Sequence, residues 1–245
     1  MAKVDPKGNI RGIIGPISTR VLHGVNIVQS RGTKPKQTAN TKKAATAFGY
    51  VSKHCKIIRL AIGEILYKNH DANFSRRLTG TTLQLFNKNM QIPIEQRTFL
   101  NTSLQGLVGF DLNTNSPFDT FCTLPFLIQI AEGNKIVLQL DAFLASDYFI
   151  FPEYTTEATL EFSLLHLALP SGINTVTETF SIRFTPNERV LAQVWEKTLP
   201  TSANFTIVIA ELNYFKTVNK NKKISLNNKE FHPSCIVYLD NGVWE

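Results

Sequence analysis

The chain has 245 residues, of which 43% are hydrophobic and 18% charged, and its formal net charge is +7. This composition is typical of a globular protein with a buried core and excludes a disordered tail or a long coiled coil. No apolar run reaches the roughly 20 residues of a membrane-spanning helix, so we expect no membrane span. Residues 1–7 lack the apolar stretch of a Sec signal peptide, and we expect synthesis in the cytoplasm.

Positive charge is concentrated in the first quarter of the chain. Residues 1–60 contain twelve Lys and Arg and a single acid, Asp5, whereas the remainder contains fourteen Lys and Arg and eighteen Asp and Glu. This distribution favours one of two kinds of partner. One is a polyanion such as nucleic acid, and the other is a neighbouring subunit whose complementary charge guides assembly.

Residues 1–37 are predicted to form a basic hairpin arm and a connector. Ile17–Leu22 and Val25–Ser30 are short runs rich in β-branched residues, and His23-Gly24 between them suits a tight hairpin turn. An isolated hairpin is marginally stable in water. The arm therefore needs a larger surface to pack against, either its own β domain or a neighbouring molecule.

Residues 38–102 are predicted to be helical. Apolar residues between Phe48 and Ile65 recur at spacings of three and four, which predicts an amphipathic helix from Thr38 to about Tyr67. A second helix is predicted from Asn73 onward, with its apolar residues on one face.

Residues 103–245 are predicted to form β structure. Segments of strand character alternate with turn signals, which predicts an antiparallel, immunoglobulin-like β-sandwich with a crossing or subdivision near residues 150–155. The fold class is therefore mainly β with an N-terminal helical part, an α+β protein. The predicted strands are Leu104–Leu112, Leu124–Ile130, Ile136–Phe143, Ala158–Leu169, Val176–Phe184, Asn204–Phe215 and Ile236–Leu239.

Patterns that carry chemistry are missing from the sequence. The His residues form no HxH or HExxH pattern, the Cys residues form no CxxC pair, and no nucleophile-elbow, P-loop or dinucleotide motif occurs. Cys55 follows His54 directly, but neighbouring residues on a helix point about 100° apart, so Cys55 is predicted in the core. We expect His166 to be a satisfied interior or sheet-surface residue, and we predict no enzyme, no cofactor and no metal site.

The first 65 residues carry a recognisable order of local features. Met1-Ala2-Lys3 is followed by Gly12-Ile13-Ile14-Gly15, then by Gly24-Val25-Asn26-Ile27-Val28 and Ser30-Arg31, and then by Lys34-Pro35-Lys36 and a helix from Thr38 through Phe48. This order resembles a family of uncharacterised Bacteroidota proteins that share a glycine-punctuated hairpin, a Lys/Pro/Thr connector and an amphipathic helix. The family has no established activity, so the resemblance implies no catalytic residue.

The same organisation is similar to that of some structural proteins of phage virions and tails. From this similarity, and from the lack of a catalytic pattern, we expect a structural subunit of a virion, phage-like particle or surface filament. The partners would be copies of the chain or other particle subunits, and the protein would end in the assembled particle. Edge pairing of the arm with a neighbour's sheet is the expected mode of docking. The predicted interface residues are Arg11, Ile17, Arg20, Val21, Val25, Ile27, Val28 and Arg31.

Two other functions stay open from the sequence. The first is a nucleic-acid-binding protein that uses the basic first 60 residues, for which affinity should fall steeply with salt. The second is a carbohydrate- or protein-binding sandwich that uses aromatic loop residues, which are at least as well explained as core residues. Those aromatic residues are Phe118, Tyr148, Phe151 and Tyr154.

Overall fold

The computed structural model describes residues 2–32, 36–169, 173–200, 204–218 and 222–242, with the backbone alone for 173–177. The chain divides into two compact units, Met1–Lys42 and Lys43–Glu245. The predicted connector from residue 32 to residue 38 lies partly outside the described residues.

The first unit contains a four-stranded antiparallel meander of β1 (Lys3–Val4), β2 (Ile10–Ile14), β3 (Ile17–Leu22) and β4 (Val25–Ser30). The predicted hairpin is confirmed, because Leu22 pairs with Val25 across the His23-Gly24 turn. His23 and Gly24 both adopt positive φ, 50° and 81°, as a two-residue hairpin turn requires. Strands β1 and β2 extend the hairpin to a sheet and were not predicted.

Two long helices follow, α1 (Ala39–Ile65) and α2 (Phe74–Lys88). Both predicted helices are confirmed. Their apolar stripes are buried, and the core residues of α1 include Val51, Cys55 and Ile58. Thr38 begins α1 with its hydroxyl, which accepts the backbone N–H of Thr41 at 3.2 Å.

In the described part of the chain, short helical turns and the strands β5 to β14 follow the two helices. The turns are a 3₁₀ helix at Gln105–Leu107, α3 (Phe118–Phe121) and α4 (Ala145–Tyr148). The strands are β5 (Leu127–Ala131), β6 (Lys135–Leu140), β7 (Phe143–Leu144), β8 (Glu157–Ala168), β9 (Ile173–Phe184), β10 (Arg189–Val190), β11 (Gln193–Thr198), β12 (Phe205–Val218), β13 (Lys222–Ser225) and β14 (Ser234–Asp240).

These strands form a sandwich with a helical layer on one side. The larger antiparallel sheet contains β13, β12, β8 and β9 in that order, with β14 also paired to β12, and the smaller sheet has the order β11-β6-β5. Leu160, Phe162 and Leu164 of β8 pack against the smaller sheet. Leu165 and Leu167, on the opposite face, share a core with α1 and α2. The predicted α+β fold with an antiparallel sandwich is confirmed, and the larger sheet is buried on both faces.

One predicted strand is wrong. Leu104–Leu112 contains the 3₁₀ helix and a single bridge between Asp111 and Cys235 instead of a strand. The segment follows the contour of the helical core, where Gly106 lies so close to Leu85 that an added Cβ would be 2.6 Å from Leu85 Cδ2. The three leucines at 104, 107 and 112 are all fully buried, so packing explains their apolar character.

Candidate interaction surface

The N-terminal sheet has two faces of different chemistry. Residues directly opposite one another in an antiparallel pair share a face, and alternate residues along a strand change face. Gly12 pairs with Thr19 and Thr19 with Val28, which places these three on one side. We call this side the apolar face, because it carries no charged residue: Val4, Ile10, Gly12, Ile14, Ile17, Thr19, Val21, Asn26, Val28 and Ser30.

The opposite side carries the positive charge of the sheet. We call it the basic face, and it consists of Lys3, Arg11, Ile13, Ser18, Arg20, Leu22, Val25, Ile27 and Gln29. Arg11 Nε lies 3.4 Å from Asp5 Oδ2. Asp5 also accepts the backbone N–H of Asn9 at 2.9 Å, and this hydrogen bond and that of the Asn9 side chain lower the pKa of Asp5. The charge of Arg11 is thus paired with that of Asp5 within the first unit.

The side chains of this sheet are exposed on both faces. From Ala2 to Gly32, no residue is buried. On the apolar face Val4 is 69% exposed, Val28 64% and Ile14 51%. A sheet normally gains its stability by packing one apolar face against another layer. This sheet has the composition of such a layer, and the described residues of its own unit provide no cover for it.

The predicted interface residues are divided between the two faces. Ile17, Val21 and Val28 lie on the apolar face. Arg11, Arg20, Val25 and Ile27 lie on the basic face, and Arg31 follows β4 with its backbone N–H bonded to Pro16. A single flat partner therefore contacts only part of the predicted set.

Three apolar residues of β1 and β2 were missed by the sequence reasoning. Val4, Ile10 and Ile14 extend the apolar face by two strands. The glycines at positions 8, 12 and 15 interrupt the β-branched runs of this segment, so no strand was predicted in it. The signal that identifies β2 is the alternation of Ile10, Gly12 and Ile14, in which the glycine takes the place of a face residue.

A second cluster of interest is a buried pair of carboxyl groups in the larger sheet of the second unit. Glu161 of β8 pairs directly with Glu211 of β12. His232 Nε2 lies 3.0 Å from Glu211 Oε2, and Glu211 and His232 are 4% and 2% exposed. Ser116 fixes the backbone of His232 by accepting its N–H at 2.8 Å.

The neighbouring amide determines how the His232 ring is protonated. Asn227 Oδ1 accepts the backbone N–H of Tyr214, so its Nδ2 is the donor 2.9 Å from His232 Nδ1. His232 Nδ1 is therefore the acceptor, and Nε2–H donates to Glu211. Burial, the charge of Glu211 and the hydrogen bond with Glu211 raise the pKa of Glu161 to about 7. Glu161 therefore keeps its proton in the folded protein up to about that pH.

The carboxyl pair borders a cavity of about 240 Å³ at the end of α1, where Glu64 and Tyr67 form the opposite wall. Ser163 and Thr179 line the same cavity and share a hydrogen bond of 3.1 Å. The arrangement can store and release a proton. Within the residues described, no group of three or more His, Cys, Asp or Glu side chains is suited to hold a metal ion.

The aromatic residues proposed for a binding loop are mostly part of the core. Phe118 is buried, and Tyr148 and Phe151 pack against the core between the two sheets. Tyr154 is 73% exposed and has a φ of 67°. Three of the four side chains are thus accounted for by packing, which weakens the carbohydrate-binding alternative.

The three cysteines and His166 are buried. Cys55, Cys122 and Cys235 are free and buried, and burial raises the pKa of Cys55 to about 11. His166 is 4% exposed, with its Nδ1 3.2 Å from Thr206 Oγ1, so it is the satisfied interior histidine that was predicted.

No helix within the described ranges is long and apolar enough to span a bilayer. No protein-family model matches the chain, and no curated protein matches it.

Proposed function

We propose that this protein is a non-enzymatic structural subunit that joins a neighbouring subunit through its N-terminal sheet. One observation carries the proposal. The sheet contains no buried residue, and eight of its large apolar side chains are exposed to solvent. Exposed apolar clusters of this kind mark interaction surfaces.

The apolar face is the side that a neighbouring subunit covers. Removing a valine or isoleucine side chain from water contributes roughly 1.5–3 kcal/mol, so covering several of them stabilises the contact substantially. The basic face remains in solvent or faces an anionic surface, because desolvating Lys3 and Arg20 without partners is costly. Complementary charge on the neighbour then guides the encounter.

The assembly we propose is a virion, a phage-like particle or a surface filament. The sequence resemblance to phage structural proteins supports this setting, as does a second unit with two cores of its own that can serve as a rigid body. The subunit would be made in the cytoplasm and would end in the particle.

Binding of nucleic acid is the second candidate function. The observation in its favour is the basic face, on which Lys3 lies opposite Arg11 and Arg20 lies one strand further. Phosphate contacts by several such residues give an affinity that falls steeply with salt. The ion pair between Arg11 and Asp5 reduces the charge available for it.

Light scattering and negative-stain microscopy of the purified protein test the proposal. The full-length chain is compared with a chain that lacks residues 1–36, each at low and at high salt. We expect the full-length chain to form oligomers or larger particles in both salts and the shortened chain to be a monomer. Two monomers, with nucleic acid bound to the full-length chain alone and released by salt, would contradict the structural function and favour the second candidate.

A further inference from the structure

Strand β4 leaves one edge of the N-terminal sheet open. It pairs with β3 on one side, and it is the last strand in the sheet order. Proteins normally protect edge strands with charged residues, proline, a bulge or short length. The six residues of β4, Val25–Ser30, include no charge and no proline, and their register with β3 is unbroken.

Several other edge strands among the described residues are short or charged. Strand β1 at the opposite edge of the same sheet has two residues, one of which is Lys3. In the second unit, β13 begins with Lys222-Lys223 and β11 contains Glu196-Lys197. Strand β5 at the edge of the smaller sheet is uncharged like β4, but within the N-terminal sheet β4 is the unprotected edge.

The hydrogen-bond pattern of the hairpin shows which backbone groups of β4 are free to pair outward. Arg31 N–H donates to Pro16, and hydrogen-bonded positions alternate along an antiparallel strand. Ile27 and Gln29 therefore direct their N–H and C=O groups toward β3. The residues that direct these groups away from the sheet are Asn26, Val28 and Ser30.

We propose that the outer edge of β4 pairs antiparallel with β4 of a second copy of this chain, with Val28 opposite Val28 at the centre. This inference rests on the proposed function and names the partner of the same sheet. The backbone groups of outward-directed residues can bond only when such residues lie opposite one another. In the register that overlaps the whole of both β4 strands, Val28 therefore pairs with Val28 and Asn26 with Ser30. About six backbone hydrogen bonds form across the new edge.

The side chains of β4 are complementary to themselves in this register. Two valines meet at the centre of the apolar face, and the amide of Asn26 lies opposite the hydroxyl of Ser30. Arg31 lies opposite Val25, so no two positive charges face each other directly even though the unit is strongly basic. A second copy therefore fits this edge without like-charge repulsion, and it places each outward-directed backbone group of Asn26, Val28 and Ser30 opposite a partner.

The pairing also joins the apolar faces of the two copies into one surface of twice the area. A two-fold axis perpendicular to the sheet keeps residues of equal face together. The apolar faces of both copies therefore continue on the same side of one sheet. Edge pairing and covering of the apolar face are then separate contacts that separate substitutions can remove.

Val28→Pro in the full-length chain tests the edge contact. Proline removes the outward N–H of Val28 and leaves the hydrogen bonds between β4 and β3 in place. Val28→Ala is compared with it, because both variants lose the valine side chain from the apolar face and only Val28→Pro also loses the N–H. Circular dichroism of each variant establishes that the fold is retained.

We expect light scattering to give the wild type at least twice the 27.5 kDa mass of the chain, and to give Val28→Ala a larger mass than Val28→Pro. Val28→Pro should have half of the wild-type mass or less. A wild-type mass for Val28→Pro would overturn the inference. If Val28→Pro has the wild-type mass and the chain lacking residues 1–36 is a monomer, the proposed function stands without the pairing of β4 edges. A monomeric wild type would overturn both.

Disulfide cross-linking tests the register itself and does not depend on proline. Val28→Cys places one thiol on the apolar face at the centre of the pairing, and Ser18→Cys places one on the basic face of β3 as the control. The three natural cysteines are buried. We expect oxidation to link Val28→Cys into dimers at least ten-fold faster than Ser18→Cys. Equal rates would overturn the proposed register.

Discussion

Glu161 lies directly opposite Glu211 on neighbouring strands, and Glu211 accepts the Nε2–H of buried His232 at 3.0 Å. Two carboxylates this close do not both ionise freely, which agrees with a pKa of about 7 for Glu161. The pair is held by the sheet register and by Asn227, which accepts from the Tyr214 backbone. The cluster therefore makes the stability of the second unit depend on pH.

We expect the contribution of Glu161 to the free energy of unfolding to fall as pH rises from about 5 to about 8. The folded pKa of Glu161 lies above its ordinary value of 4.5, so the folded protein retains a proton that the unfolded chain has lost. Glu161→Gln should remove roughly 1–2 kcal/mol of this dependence, after allowance for solvent screening. Urea unfolding at pH 5.5 and pH 8 measures it, with exposed Glu132→Gln as the control. An unchanged pH dependence in Glu161→Gln would contradict this account.

Asp71 is expected to be a strong stabilising residue at neutral pH. It accepts the backbone N–H of Thr114 at 3.2 Å and pairs with Arg77, which also donates to the Asp111 carbonyl at 2.9 Å. Burial opposes ionisation, but the hydrogen bonds from Arg77 and Thr114 prevail and lower the pKa of Asp71.

Asp71→Asn should therefore lower the free energy of unfolding at pH 7 by roughly 1–3 kcal/mol. The difference from the wild type should shrink as pH falls below about 4, because the unfolded wild-type chain then takes up a proton at Asp71 that the folded protein, with its lowered pKa, takes up only at lower pH. Chemical denaturation across this range provides the measurement. Glu196→Ala, which removes an exposed pair with Lys135, is the control and should have little effect. Equal losses in both variants would show that the Asp71 cluster has no special role.

The turn at Gly24 should determine how well β3 and β4 hold together. Gly24 has a φ of 81°, which a residue with a side chain adopts only with strain, whereas Gly32 has no such φ and open space around it. Gly24→Val should destabilise the hairpin by about 1 kcal/mol, and Gly32→Val should not. Amide hydrogen exchange over residues 17–30 should be several-fold faster in Gly24→Val alone. Equal exchange in the two variants would exclude this role of the turn.

The three cysteines should not react with a thiol reagent in the folded protein. Cys55, Cys122 and Cys235 are buried, and burial raises the pKa of each, to about 12 for Cys122. Both effects withhold the reactive thiolate. At pH 8 we expect all three to react within minutes in denaturant and none on that timescale in buffer. Rapid labelling in buffer would mean that the cores open readily.

Local patterns predicted the parts of the fold that local physics controls. The apolar stripe of α1 and the His23-Gly24 turn each depend on a few neighbouring residues, and both were predicted correctly. The strand over Leu104–Leu112 was wrong because its leucines serve a helical core whose other residues lie elsewhere in the sequence.

The candidate surfaces were predicted less completely for the same reason. The apolar face joins Val4, Ile14 and Val28 only through the registers of three strand pairs, and no pattern along the chain expresses these registers. Glu161 and Glu211 likewise become neighbours only when β8 pairs with β12. Each glutamate lies between apolar residues of a buried strand, which is the signal that identifies it as buried.

A pair of double substitutions tests the central claim, that the apolar face of the N-terminal sheet is the assembly contact. Ile14 and Ile17 are direct partners on the apolar face, and Ile13 and Ser18 are the adjacent partners on the basic face. Replacing either pair by two lysines adds the same charge to the same two strands. The mass of each full-length variant is then measured by light scattering. We predict that Ile14→Lys/Ile17→Lys has a lower mass than the wild type and that Ile13→Lys/Ser18→Lys has the wild-type mass. Equal masses for the two variants would contradict the claim.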